Sequence, residues 1–167
     1  MENKKHEILL GLTTTPKSDW RGKVEEMKKF GIKRIALFPT FLEINERREL
    51  YDLLEKIDGL EVPHVHLRQD MEHWELELFR NKYGAKVFNI HGKHFAYYKK
   101  PPFDVYLPDI FIENQFYGIS RQCLDMCGGL CIDFSHWESA RLKKSSIAEM
   151  VDGLAGDYKI GCCMYPQ

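Results

Sequence analysis

Apolar positions along the chain switch repeatedly between two rhythms. Short, nearly continuous runs read as buried strands: "EILLGLTTT", "KRIALFPT", "LEVPHVHL", "AKVFNIHG", "IFIENQ", "GLCIDF" and "YKIGCCMY". Between them, apolar residues return at helical spacing. Trp20, Val24, Met27 and Phe30 form one stripe, ended at Gly31. Leu50, Leu53, Leu54 and Ile57 form a second, with Asn45 as its expected cap and Gly59 as its stop. Met71, Trp74, Leu78 and Phe79 form a third, with Asp70 as expected cap and Gly84 past its end. Ser146 and Glu149 have capping-box spacing ahead of Ile147, Met150, Val151 and Leu154.

The beat weakens after the fourth strand. "KHFAYYKKPPFDVYLPD" has paired prolines and no helical period, so the fourth helix is expected to be short or absent. A brief helix is expected from Tyr117 to about Cys127. Repeated strand–helix units predict a parallel sheet. Seven strands without a Gly-rich phosphate loop after the first fit a (β/α) TIM-type barrel better than an open doubly wound sheet. A full barrel takes about 250 residues, so the 167 residues predict one incomplete barrel domain lacking strand eight. Expected strand ends are Thr13, Pro39, His66, His91, Glu113, Asp133 and Cys163.

Composition narrows the class. With 44% hydrophobic and 29% charged residues, the chain reads as a globular protein with a substantial core. A formal net charge of -1 provides no basic field for nucleic acid or anionic membrane. No apolar run approaches the roughly 18 residues of a membrane span. Five cysteines without a secretory leader are expected to be reduced thiols in a cytoplasmic setting. Cys123, Cys127 and Cys131 lack zinc-ribbon spacing and, like Cys162 and Cys163, read as small buried hydrophobes.

Polar residues collect at the expected C-terminal ends of strands, where barrels of this type keep their chemistry. Strand three ends with His64 and His66, strand four with His91, strand five with Glu113 and Asn114, and strand six with Asp133 followed by His136. Imidazoles and carboxylates on one rim suit Zn, Mn or Fe as divalent ions. His66, His91, Glu113, Asp133 and His136 are the candidate ligands. Glu113 and His136 are also the candidate catalytic groups, and Arg68, His64 and Asn114 the candidate substrate contacts. His6, His73 and His94 have no such placement and read as surface or loop residues. Lys93, Tyr97, Tyr98, Lys99 and Lys100 are expected to form a solvated loop over the same face.

These strand ends resemble the xylose isomerase-like TIM-barrel superfamily, which includes sugar-phosphate isomerases and epimerases and endonuclease IV. "CIDFSH" is similar to the family's C-I-D-x-x-H, "FIENQ" to its L-E-N, and "FNIHG" and "VPHVH" to its strand-four and strand-three histidines. The endonuclease-type pattern implies one zinc on His66, His91 and Glu113. It also implies a second ion bridged by Glu113 to Asp133, and a third involving His136. The epimerase-type pattern implies one ion on Glu113 and Asp133, with His136 at the substrate. Both branches also take a histidine from strand seven, where this chain has "CCMYPQ", and a glutamate from strand eight.

The leading expectation is therefore a metal-dependent isomerase or epimerase acting on a small sugar or sugar phosphate by metal-polarised proton transfer. A metal-dependent phosphodiester hydrolase of the endonuclease IV kind is the alternative, favoured by three rim histidines and opposed by the neutral charge. A non-catalytic barrel fragment is the third. An open seventh strand also leads to an expectation of self-association as a homo-oligomer.

Overall fold

The computed structural model describes residues 7–165. Seven strands, β1 (Leu10–Thr13), β2 (Arg34–Phe38), β3 (Glu61–His66), β4 (Val87–His91), β5 (Ile110–Glu113), β6 (Gly129–Asp133) and β7 (Ile160–Met164), pair in sequence order. Every pairing is parallel. Helices α1 (Trp20–Phe30), α2 (Ile44–Glu55) and α3 (His73–Asn81) follow the first three strands. The sheet curls into an open half-barrel, the α/β architecture of an incomplete TIM-type barrel, and β1 does not pair with β7. His6 and its expected surface role lie outside the described residues.

Alternation along each strand sorts the side chains. Val65, Phe88, Ile90, Ile112, Leu130 and Ile132 join the buried core. The alternate positions of β3 to β6 carry His64 and His66, Asn89 and His91, Glu113, and Cys131 and Asp133. Two irregularities bend the sheet. The β2–β3 register shifts between Arg34 and Ala36, and the β6–β7 register shifts between Leu130 and Cys131. At the second shift Gly161 lies against the Phe111 ring. An added Cβ would sit 2.3 Å from the ring, so only glycine fits there.

Helix α2 is tied to α3 by a buried ion pair. The Arg47 guanidinium, fully buried, forks onto Glu75 at 2.8 and 2.9 Å, and Tyr51 donates to the same carboxylate at 2.6 Å.

Helix starts differ from the sequence-based expectation by one or two residues. Helix α2 is capped at Glu43 rather than Asn45, with Glu46 accepting from the Glu43 N–H at 3.2 Å. Helix α3 is capped at Glu72 rather than Asp70, with Glu75 reaching back at 2.9 Å. Asp70 is instead drawn away by Arg47 and Arg68, at 3.0 and 2.7 Å.

The helix after β4 is short, as expected: a 3₁₀ turn (Gly92–His94) leads into α4 (Phe95–Tyr98), and a 3₁₀ helix (Asp104–Asp109) completes the crossover. The Lys93–Lys100 segment is not a solvated loop, however. Tyr98 is fully buried and donates to the Arg68 carbonyl, and Tyr97 donates to the Met71 carbonyl at 3.0 Å. Both rings pack on Phe103, while Lys93, Lys99 and Lys100 face solvent. The helix expected over 117–127 shrinks to α5 (Arg121–Leu124). An additional helix, α6 (Phe134–Leu142), follows β6 directly. The hydrophobic pattern does not reveal it, because Ala140 is its only buried residue and it has no apolar stripe. Helix α7 (Ser146–Asp157) comes next, capped by Ser145, whose hydroxyl accepts from the Ile147 N–H at 3.3 Å.

Candidate metal centre

At the C-terminal edge of the sheet, β3, β4 and β5 end in register so that three donors meet. His66 Nε2 lies 3.3 Å from His91 Nε2 and 3.2 Å from Glu113 Oε2. His91 Nε2 lies 3.5 Å from Glu113 Oε1. Ligand bonds of about 2.0–2.1 Å in a tetrahedron place donor atoms roughly 3.3–3.4 Å apart. The His66–His91 spacing therefore matches one edge of a small N/O coordination polyhedron, Glu113 offers one oxygen to each imidazole, and one donor atom from each of the three residues lies within 4.8 Å of the others. His66 and Glu113 are buried and His91 is half-buried.

A second donor group shares Glu113. His136 Nε2 is 3.8 Å from Glu113 Oε1 and 3.8 Å from Asp133 Oδ2. One donor atom each from Glu113, Asp133 and His136 also lie within 4.8 Å of one another. Asp133 divides its carboxylate. Its Oδ1 accepts from the backbone N–H of Ser135 at 2.7 Å and of His136 at 3.1 Å, capping α6. Its Oδ2 remains on the His136 side. After Asp133 the chain enters a helix whose third residue is His136.

Electrostatics favour an ionised Glu113. Burial alone would push its carboxyl up, but hydrogen bonds and charge from His66 and His91 prevail and hold it well below the usual carboxylate range. Among the described residues no arginine or lysine is bonded to Glu113, and its charge is met by imidazoles and the Asn89 amide. Such a site is suited to an added cation. The Nδ1 of His66 is buried without a hydrogen-bond partner.

The other expected site residues surround this cluster, each already engaged. His64 lies deeper on β3, with Nε2 2.8 Å from Asn89 Oδ1. The Asn114 amide clamps the Asp133 backbone, accepting from its N–H at 2.6 Å and donating to its carbonyl at 3.0 Å. Arg68 donates to Asp70 at 2.7 Å and to the carbonyl of Thr40, a residue that lines the cavity, at 2.6 Å. The cavity itself is about 300 Å³ and is lined by Thr13, Phe38, Ser135 and Tyr165 beside His66 and Glu113. A larger outer groove of about 570 Å³, between α2 and α3, lies away from the strand ends and is lined by Arg48, Trp74 and Tyr83.

Two further residues beside the cluster carry little signal in the sequence. Asn89, fully buried, donates to Glu113 Oε2 at 2.8 Å. Its only mark is a polar residue inside the apolar run "VFNIH", two before His91. His94, expected as a surface or loop residue, stacks on His91 with ring centroids 5.7 Å apart, and its Nδ1 is buried without a partner. Burial, with His91 and Lys93 beside it, pushes its imidazole down to about 4. His73 lies on α3 with Nδ1 3.5 Å from Glu77.

Among the described residues, neither donor group contains a cysteine. Cys131 is buried as expected, whereas Cys163 is exposed. Among the same residues, no helix is long and apolar enough to cross a membrane.

Fold and site thus define a class: a parallel β/α half-barrel with a buried histidine–carboxylate cluster at its strand ends. No protein-family model, curated protein or solved structure matches this chain.

Proposed function

We propose that the chain is a metal-dependent isomerase- or epimerase-like protein acting on a small sugar or sugar phosphate, built as a partial xylose isomerase-like barrel domain. One observation carries the reading: the mutual spacing of His66, His91 and Glu113 donors at the strand ends of a parallel sheet. Zn, Mn or Fe(II) held there would supply Lewis acidity toward a carbonyl and its neighbouring hydroxyl. The chain's own groups do the rest. Glu113, kept ionised by its imidazoles, accepts a proton at the carboxylate. His136, in a T-shaped contact with Phe116 (ring centroids 4.6 Å apart), holds or returns a proton at Nε2. The hydroxyls of Thr13 and Ser135 and the ring of Tyr165 border the space a polyol would fill. Asn114 and His64 orient the groups around it, and Arg68 reaches a phosphate only by exchanging Asp70 for it.

The second donor group favours an alternative reading, because Glu113 could bridge two ions as a phosphodiester hydrolase requires. The net charge of -1 argues against a polyanionic nucleic acid as partner.

The test is metal content after dialysis against each ion, followed by turnover. About one ion per chain is expected, with uptake lost in His66→Ala and His91→Ala. The isomerase reading then requires metal-dependent incorporation of solvent deuterium into a sugar from an aldose–ketose panel. Cleavage of a phosphodiester instead would select the alternative, and ion binding with neither activity would mark a non-catalytic barrel. A chain that takes up none of the three ions would end the proposal.

A further inference from the structure

Asn89 sits in the middle of β4 with no exposed surface, facing the barrel interior. A buried carboxamide is costly unless both ends are bonded. Here both are: one end meets His64 Nε2 at 2.8 Å and the other Glu113 Oε2 at 2.8 Å. The partners dictate the orientation. A carboxylate can only accept, so the end facing Glu113 must be the NH₂ group. The carbonyl oxygen then faces His64, and His64 must carry a proton on Nε2 to donate to it. The remaining amide hydrogen has Met164 Sδ at 3.9 Å.

This chain of bonds allocates the two oxygens of Glu113. Oε2 is held between Asn89 and His66 (2.8 and 3.2 Å), while Oε1 is left toward His91 and His136 (3.5 and 3.8 Å). Without the Asn89 donor, only the longer His66 contact at 3.2 Å restrains Oε2 against rotation of the carboxylate about its last torsion. We infer that Asn89, oriented by His64, is a positioning residue for Glu113, holding Oε2 toward His66 and so presenting Oε1 to His91 and His136. This rests on the metal-site reading and deepens it. A partner bonded behind a ligand reduces the ordering required when an ion binds, and its loss typically weakens metal binding about 10- to 100-fold.

The experiment compares wild type with Asn89→Leu, which keeps the side-chain volume and removes the donor. Zinc affinity is measured by competition with a chelator, and the visible absorption of the cobalt-substituted chains is recorded. Asn89→Leu is expected to bind zinc about 10- to 100-fold more weakly and to shift the cobalt bands, because the Glu113 oxygen bound to the ion changes. A residue that merely filled space would leave the cobalt spectrum unmoved, so equal affinity with an unchanged spectrum overturns the inference. If Asn89→Leu does not fold, nuclear magnetic resonance of the wild type decides. The Asn89 side-chain amide protons should exchange slowly in metal-free protein and shift on zinc addition. Rapid exchange or indifference to zinc overturns the inference. A wild-type chain that binds no zinc fails the metal-site reading itself, whereas binding in wild type and variant alike fails only the role of Asn89.

Discussion

Glu75 and Glu113 are both buried carboxylates, and they differ in what compensates them. Glu75 has a permanent cation, Arg47, in a two-pronged pair and a tyrosine hydroxyl besides. Glu113 has imidazoles and an amide. The first arrangement is complete without a ligand, and the second leaves its charge short of a fixed partner. Glu75→Gln should therefore destabilise the chain by about 3 kcal/mol, because it leaves the buried guanidinium with only the half-exposed Asp70 as counter-charge, yet leave zinc affinity unchanged. Urea unfolding and zinc titration check the two halves, and a variant as stable as wild type would contradict the pairing argument. Asp70 provides a pH test. Burial alone would raise its carboxyl, but Arg68 and Arg47 prevail and pull it down to about 2 from 3.8. A carboxyl depressed in the folded state stabilises above its unfolded value, and that stability is lost as pH falls through the folded value. Asp70→Asn should cost about 1 kcal/mol near neutral pH, a modest figure because Asp70 is half-exposed. The gap between the two urea midpoints should hold from about pH 7 to 5 and narrow from about 4 toward 2. A gap that widened on acidification would have the wrong sign.

At the scale of elements, Asp133 serves two structures at once. It ends β6 and caps α6 with Oδ1, leaving Oδ2 beside His136. Asparagine caps a helix about as well as aspartate, whereas alanine loses about 1 kcal/mol. Asp133→Asn should therefore keep wild-type stability, Asp133→Ala should lose about 1 kcal/mol, and both should abolish any second metal equivalent. Melting curves and metal counts on the two variants separate these roles. A second ion retained by Asp133→Asn would remove that carboxylate from the ligand set. Helix starts also show why a cap is hard to place from sequence. Several polar residues compete near each start, and tertiary partners choose between them. Arg47 and Arg68 draw Asp70 off, so Glu72 begins α3.

For the whole molecule, the sheet has two free edges among the described residues. At one edge β1 exposes Leu10, and at the other β7 exposes Ile160 and Cys163. Unpaired strands of this kind recruit other chains, so sedimentation velocity should show association rising with concentration. A single monomeric species throughout the micromolar range would count against it. Zinc at about 100 times its dissociation constant should add about 2.7 kcal/mol of stability, reversed by a chelator. An unmoved melting curve would mean that the ion does not bind the folded site selectively.

The strand–helix beat, the parallel order of seven strands and the polar strand ends at His66, His91, Glu113 and Asp133 are legible in the sequence alone. They follow from local periodicity: a run of apolar residues closing on an ionisable one carries its own signature. Helix α6, the burial of Tyr98, the stacking of His94 and the bond from Asn89 to Glu113 are decided only in three dimensions. Each depends on which neighbours the curled sheet brings into contact, and the partners of Asn89 come from strands about 25 residues away. A one-dimensional pattern specifies which face a side chain takes. Twist, register shifts and packing determine what it meets there.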